Sequence, residues 1–171
     1  VVANVYSQHS RLKEIIRCGE RNFCERLAEE IEVARGTAGW QEDDEDEGGW
    51  ISGKLSDLPI LTYHERDGGP YITSGIFAAK NPQTGVPNLS FHRSMFVSDE
   101  ELRIRLGSSH DLARFQAVAE EKGQALEAAI LVTAAPEVFM AACVSLPPDG
   151  NELALAAAMR GGPLRMRRCK T

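Results

Sequence analysis

The sequence predicts an α+β domain built around an antiparallel sheet or barrel, with short helices on either side. Strand-like runs gather in the middle of the chain from residue 58 onward. Helical patterns lie before and after them, and no steady βαβ alternation runs through the 171 residues. That order of elements favours segregated helices over a doubly wound parallel sheet.

The elements follow in chain order. Residues 1–6 are apolar and β-leaning, and residues 7–17 carry Leu12, Ile15 and Ile16 on one side of a short helix. Asn22 is a good N-cap for a second helix, whose Phe23, Leu27 and Ile31 recur every four residues and whose stop is Gly36. Residues 42–47 are six consecutive acids followed by two glycines, a self-repelling run expected to form a solvated loop between Trp40 and Trp50. Residues 59–63 form a short extended run, and Asp67-Gly68-Gly69-Pro70 is a turn. Residues 71–79 read as a strand with Gly75 marking a bulge or a close backbone approach, and residues 88–97 as another strand after the 81–87 turn. Leu102, Ile104 and Leu106 alternate with Arg103 and Arg105, which predicts a half-buried strand with its arginines in solvent. A helix follows Gly107-Ser108-Ser109, with Leu112, Phe115, Val118 and Ala119 on its apolar face and Gly123 as its stop. Residues 126–132 are nearly all apolar and predict a buried strand. Pro136 opens a short helix, Asn151 caps another, and residues 164–169 form the last strand.

Composition excludes several functions. At 43% hydrophobic and 26% charged residues the chain can build a core. Its net charge of −6 argues against general nucleic-acid binding, and the basic stretch at 160–170 reads as a solvated strand edge. Cys18, Cys24, Cys143 and Cys169 show no paired spacing, so free thiols and a cytoplasmic setting are expected. No apolar run is long enough to span a membrane, and no signal peptide is visible. The chain opens on Val1 within a strand-like run and closes directly after another, as a piece of a longer or split protein would.

Functional residues concentrate at Asn88-Leu89-Ser90-Phe91-His92-Arg93, where an amide, a hydroxyl, an imidazole and a guanidinium fall within six positions. Downstream, His110 and Glu152 each sit in a predicted first helical turn. Helix-terminal charge disfavours a protonated His110 but tolerates a neutral imidazole, the form a metal needs. Asn88, His110 and Glu152 together offer a mixed oxygen and nitrogen donor set suited to Mn²⁺ or Mg²⁺. Any of the three standing alone also has an ordinary structural reading. Strand alternation places Asn88, Ser90 and His92 on one face and Leu89, Phe91 and Arg93 on the other. For Asn88 and Arg93 to meet one ligand, the strand needs a bulge or a wrapped end.

These segments resemble the UbiD family of reversible decarboxylases. The likeness rests on Leu58-Pro59-Ile60-Leu61, Asp67-Gly68-Gly69-Pro70-Tyr71-Ile72-Thr73, Asn81-Pro82-Gln83-Thr84-Gly85, residues 88–93, Leu146-Pro147-Pro148-Asp149-Gly150-Asn151-Glu152 and the stretch from Met159 to the end, in the family's order. The resemblance implies a flavin-reductase-like split β-barrel over residues 58–171, incomplete relative to the family, after an N-terminal helical segment and acidic loop at 1–57. It implies prenylated FMN as cofactor, supplied by a flavin prenyltransferase, with Mn²⁺ (or Mg²⁺) and K⁺. Asn88, His110 and Glu152 would bind the divalent ion. Ser90, Phe91, Arg93, Ser109 and His110 would contact the cofactor, and Arg93 would steer the carboxylate of an aromatic or α,β-unsaturated acid. His92 is left a surface or cross-strand role. The resemblance also implies a homo-oligomer or a partner chain. Three departures from the family pattern stand out: Ser109 occupies a position where the family often has Gln, the family's acid–base glutamates fall beyond the equivalent of Thr171, and its N-terminal and C-terminal dimerising domains are not matched here. The alternative is therefore a non-catalytic flavin-binding or assembly subunit, with the acidic loop as a possible contact surface.

Overall fold

The computed structural model describes residues 6–43 and 51–169. The strand expected at the start of the chain, most of the acidic run and Trp50 lie outside those residues. In chain order the elements are α1 (His9–Ile15), α2 (Phe23–Ala34), β1 (Trp40–Glu42), β2 (Tyr71–Ile72), β3 (Ile76–Lys80), β4 (Pro87–Phe91), β5 (Ser94–Ser98), β6 (Glu101–Ile104), α3 (Asp111–Glu121), β7 (Ala128–Leu131), α4 (Pro136–Ala141), α5 (Glu152–Arg160) and β8 (Leu164–Met166). The α+β expectation holds. The chain divides into two compact units, one from the described parts of Val1–Asp43 and Ala135–Thr171, the other from those of Asp44–Ala134. This division joins the two ends of the chain, whereas the sequence suggested a linear boundary near residue 57.

The unit made from the chain ends is built on α5. Asn151 caps it by accepting the Ala154 N–H at 3.0 Å, and Gly161, at φ 80°, ends it. Leu153, Ala154, Leu155, Ala156, Ala157 and Met159 are all buried, so this helix is apolar around most of its circumference and forms the core. It packs against α2 and α4. The α2 helix starts where predicted, with Asn22 Oδ1 accepting the Cys24 N–H at 2.8 Å. β1 and β8 pair in parallel, with Trp40 opposite Leu164, which places Trp40 in a strand. Part of the basic stretch is neutralised here: Arg165 pairs with Asp43 at 2.9 Å and Arg168 with Glu42 at 3.3 Å.

The other unit holds two three-stranded sheets, ordered β2-β5-β6 and β4-β3-β7. Among the described residues neither sheet closes into a barrel. One long hairpin serves both: its first arm is β2 then β3, and its second is β4 then β5. Asn81 makes the connecting turn by accepting the Gln83 N–H at 2.9 Å, with Gly85 at φ 74°. Each arm bends where it changes sheet. There Thr73, Ser74 and Gly75 oppose only His92 and Arg93, so the register slips by one residue. The expected bulge is present, marked by Gly75, whose carbonyl accepts the His92 N–H at 3.3 Å.

Helix α3 covers one face of β4-β3-β7. Phe77 and Ala79 of β3 pack with Leu112 and Phe115 of α3, joined by Leu106, Leu126 and Ile130. The run at 126–132 proves to be an edge strand, half-buried with Val132 exposed, because among the described residues β7 pairs only with β3. Its apolar residues serve one face.

Candidate functional site

Register fixes which residues share the α3-covered face. Ser90 lies opposite Phe77 and Asn88 opposite Ala79, both of which pack under α3. Asn88 and Ser90 therefore face α3 too, and alternation sends Leu89 and Phe91 to the reverse side. Asn88 is buried, as is His92 at 4% exposure. His92 Nε2 lies 2.9 Å from Ser90 Oγ, and its ring meets Phe77 edge-on at 5.3 Å. Of the two roles left to His92, burial excludes the surface one and the contact with Phe77 of β3 is the cross-strand one: the bend turns the residue inward against a core aromatic.

His110 sits at the N-terminus of the same helix, as the N-cap of α3 and not within the first turn. Its ring centroid is 5.3 Å from that of His92. Gly107 makes this position possible, since a β-carbon there would lie 2.9 Å from His110 Cδ2. Burial, and secondarily the neighbouring His110, lower the pKa of His92. His92 is accordingly a neutral imidazole near neutrality, able to exchange a hydrogen bond with Ser90.

Past the bend the chain faces elsewhere. Tyr71, Met95 and Arg103 align across β2, β5 and β6 in one row, and Thr73, Arg93 and Arg105 lie two residues away toward the same end, Arg93 before Met95 and the other two after their row-mates. All six line a cavity of about 520 Å³, with Tyr63, His64, Asp67 and Ile104 completing its wall. Arg103 and Arg105 are solvent-exposed, as expected, and border this cavity.

Six of the seven predicted site residues, Asn88, Ser90, Phe91, Arg93, Ser109 and His110, belong to this unit. Glu152 belongs to the other, in the first turn of α5, and is 5% exposed. Among the described residues no three His, Cys, Asp or Glu side chains gather as a metal-binding group. Of the three residues named for a divalent ion, Asn88 and His110 thus share one unit and Glu152 lies in the other. An amide oxygen, an imidazole nitrogen and a carboxylate oxygen suit Mn²⁺ or Mg²⁺ in chemical type.

The family model described as the UbiD 3-octaprenyl-4-hydroxybenzoate carboxy-lyase Rift-related domain matches residues 32–171. The chain belongs to the UbiD family. Among its UbiD relatives is the anhydromevalonate phosphate decarboxylase of Methanothermobacter thermautotrophicus, 42% identical over 124 residues, covering 71% of this chain and 29% of the relative. The Methanosarcina mazei protein of the same name is 39% identical over 115 residues, covering 67% and 26%. The chain thus spans between a quarter and a third of these relatives. A UbiD-class solved structure is similar as well: the evolved dimeric form of HmfF from Pelotomaculum thermopropionicum, in complex with prFMN. It superposes with a TM-score of 0.78 at 26% identity, covering 94% of this chain and 38% of that one. Among the described residues no helix is long and apolar enough to cross a membrane.

The residues that the sequence reading passed over had signals. Alternation flagged His92, and Arg103 and Arg105 sit at one spacing in a strand that pairs with the Arg93 arm. Tyr63 and His64 carried no signal beyond their place beside the 67–70 turn.

Proposed function

We propose that this chain is the cofactor-holding region of a UbiD-family decarboxylase that uses prenylated FMN and acts on an unsaturated or aromatic carboxylic acid. The observation that supports this best is the bend at His92–Arg93. It separates one continuous stretch into a buried polar face under α3, carrying Asn88 and Ser90, and a cavity face carrying Arg93. A ligand with a phosphate at one end and a reactive ring at the other needs two such faces. The HmfF likeness, a complex with prFMN, adds to the argument. So does the name of the archaeal relatives, which are decarboxylases of a phosphorylated compound. In this reading the two sheets and their bent hairpin are the split-barrel framework.

Asn88, His110 and Glu152 are assigned to a divalent ion, Mn²⁺ by preference, with K⁺ alongside, and Ser90, Phe91 and Ser109 to the cofactor. Bound prenylated FMN supplies the electron sink for loss of CO₂. The chain's own residues bind and orient. Arg93 presents a planar fork that matches a carboxylate, which an ammonium cannot do. Ser90 holds the neutral His92, and His92 backs the His110 ring. A partner chain or a second copy and a flavin prenyltransferase belong to the same proposal.

The test is to purify the protein after co-production with and without a flavin prenyltransferase, and to record its absorbance, metal content and decarboxylation. The proposal expects a modified-flavin spectrum, bound Mn²⁺ and CO₂ release only after co-production. His110→Ala and Glu152→Gln should each lower bound Mn²⁺ by 10-fold or more, roughly the cost of a lost ligand. Flavin-free protein with ordinary yield and fold would overturn it.

A further inference from the structure

The cavity on the β2-β5-β6 sheet carries more positive charge than one carboxylate requires. Three of its ten lining residues are arginines, Arg93, Arg103 and Arg105, against a single acid, Asp67. That acid is engaged, since its Oδ2 accepts the His64 backbone N–H at 3.0 Å. Arg103 pairs with Glu101 at 3.1 Å. Arg93 and Arg105 have no ion-pair or hydrogen-bond partner among the described residues.

Strand register sharpens the point. Ser94 lies opposite Ile104 as the last pair of the β5-β6 ladder, and Arg93 and Arg105 are the next residues beyond it on the two chains. Like charges gathered at one cavity are destabilising unless an anion lies between or beside them. Tyr63 and Thr73 add hydroxyls 3.0 Å apart at the same cavity, and Met95 and Ile104 give it apolar wall. A volume of about 520 Å³ admits a small metabolite with room between two charged ends.

We propose that Arg105, supported by Arg103 and His64, forms a second anion subsite that takes a phosphoryl group on the substrate, distinct from the carboxylate that Arg93 receives. The substrate class is then a small acid bearing a carboxylate and a separate phosphate ester. Arg105 is a specificity-determining residue, and a guanidinium is suited to the task because its fork engages two phosphate oxygens at once. The inference deepens the decarboxylase reading and rests on it.

The same chemistry has a second source, the phosphate of the flavin itself, so the experiment separates the two. The holoenzyme and its Arg105→Ala and Arg105→Lys variants are assayed with anhydromevalonate phosphate and with the same acid lacking phosphate, and retained flavin is measured by absorbance. The expected result is a preference for the phosphorylated acid that falls about 10- to 100-fold in Arg105→Ala, through KM, with partial recovery in Arg105→Lys, as loss of a charge-assisted contact predicts. Flavin content stays at the parent level. An unchanged preference in Arg105→Ala overturns the inference, as does loss of flavin in its place, which would assign the anion to the cofactor. Turnover of unphosphorylated acids alone also overturns it while leaving the decarboxylase reading intact. Failure to turn over any acid, with flavin absent, removes both.

Discussion

Burial and the adjacent His110 hold the His92 imidazole below its ordinary pKa, and this has a consequence for stability. In the unfolded chain His92 takes up a proton near its ordinary value of about 6.5. The folded chain resists that proton until a lower pH. Stability is therefore unaffected by this group at higher pH and falls as pH drops below about 6.5 toward the folded pKa. Chemical denaturation of metal-free protein should show that decline, and His92→Gln should flatten it. An equally steep decline in the variant would place the titration elsewhere. Cys143 gives a second check at this scale. Burial raises its thiol pKa, so less thiolate is present at mild alkaline pH and alkylation should lag that expected of an ordinary thiol. Mass spectrometry of partly alkylated protein reads this directly. Asn88, Arg93 and His110 were singled out by residue type and resemblance, and their roles belong to the proposal. For His92 the cross-strand role was legible but the burial was not, because strand parity says which face a residue shares and not whether a helix lies over that face.

Two glycines carry the predictions at the scale of elements. Gly39 adopts φ 75°, and a β-carbon there would come within 2.3 Å of the Ala154 backbone in α5. Neither the turn nor the helix can yield cheaply, so Gly39→Ala should cost about 3 kcal/mol or more of stability. A thermal melt checks this; a shift of only a degree or two would mean that α5 retreats freely. Gly107 differs in kind, since its added β-carbon would meet the movable His110 ring. Gly107→Ala should keep the fold within about 1 kcal/mol but weaken Mn²⁺ binding about 10-fold by displacing the imidazole. Calorimetric titration against the melt separates the two effects. Helix caps at Asn22 and Asn151, the 81–85 turn and the bulge at Gly75 could be read in the sequence because each depends on local backbone chemistry. The edge placement of β7 could not, since an apolar run fits a central strand and an edge strand equally well. The break of residues 88–98 into two strands was likewise foreseen only as a need, because sheet-switching depends on partners distant in sequence.

At the scale of the whole molecule, the chain belongs to the UbiD family and comprises two compact units, one of which joins residues from both ends of the chain. Composition argues against general nucleic-acid binding but is silent on which unit a residue joins, so Glu152 and His110 could be named together without their units being known. The central claim is that the buried polar face under α3 holds a flavin phosphate through a divalent ion. FMN affinity of the protein, measured by flavin fluorescence with Mn²⁺ and with a chelator, tests it most directly. The account predicts that Mn²⁺ tightens binding by about 10-fold or more, and that Asn88→Ala and His110→Ala remove that gain. Equal affinity with metal and with chelator, or a gain that survives both substitutions, would contradict it.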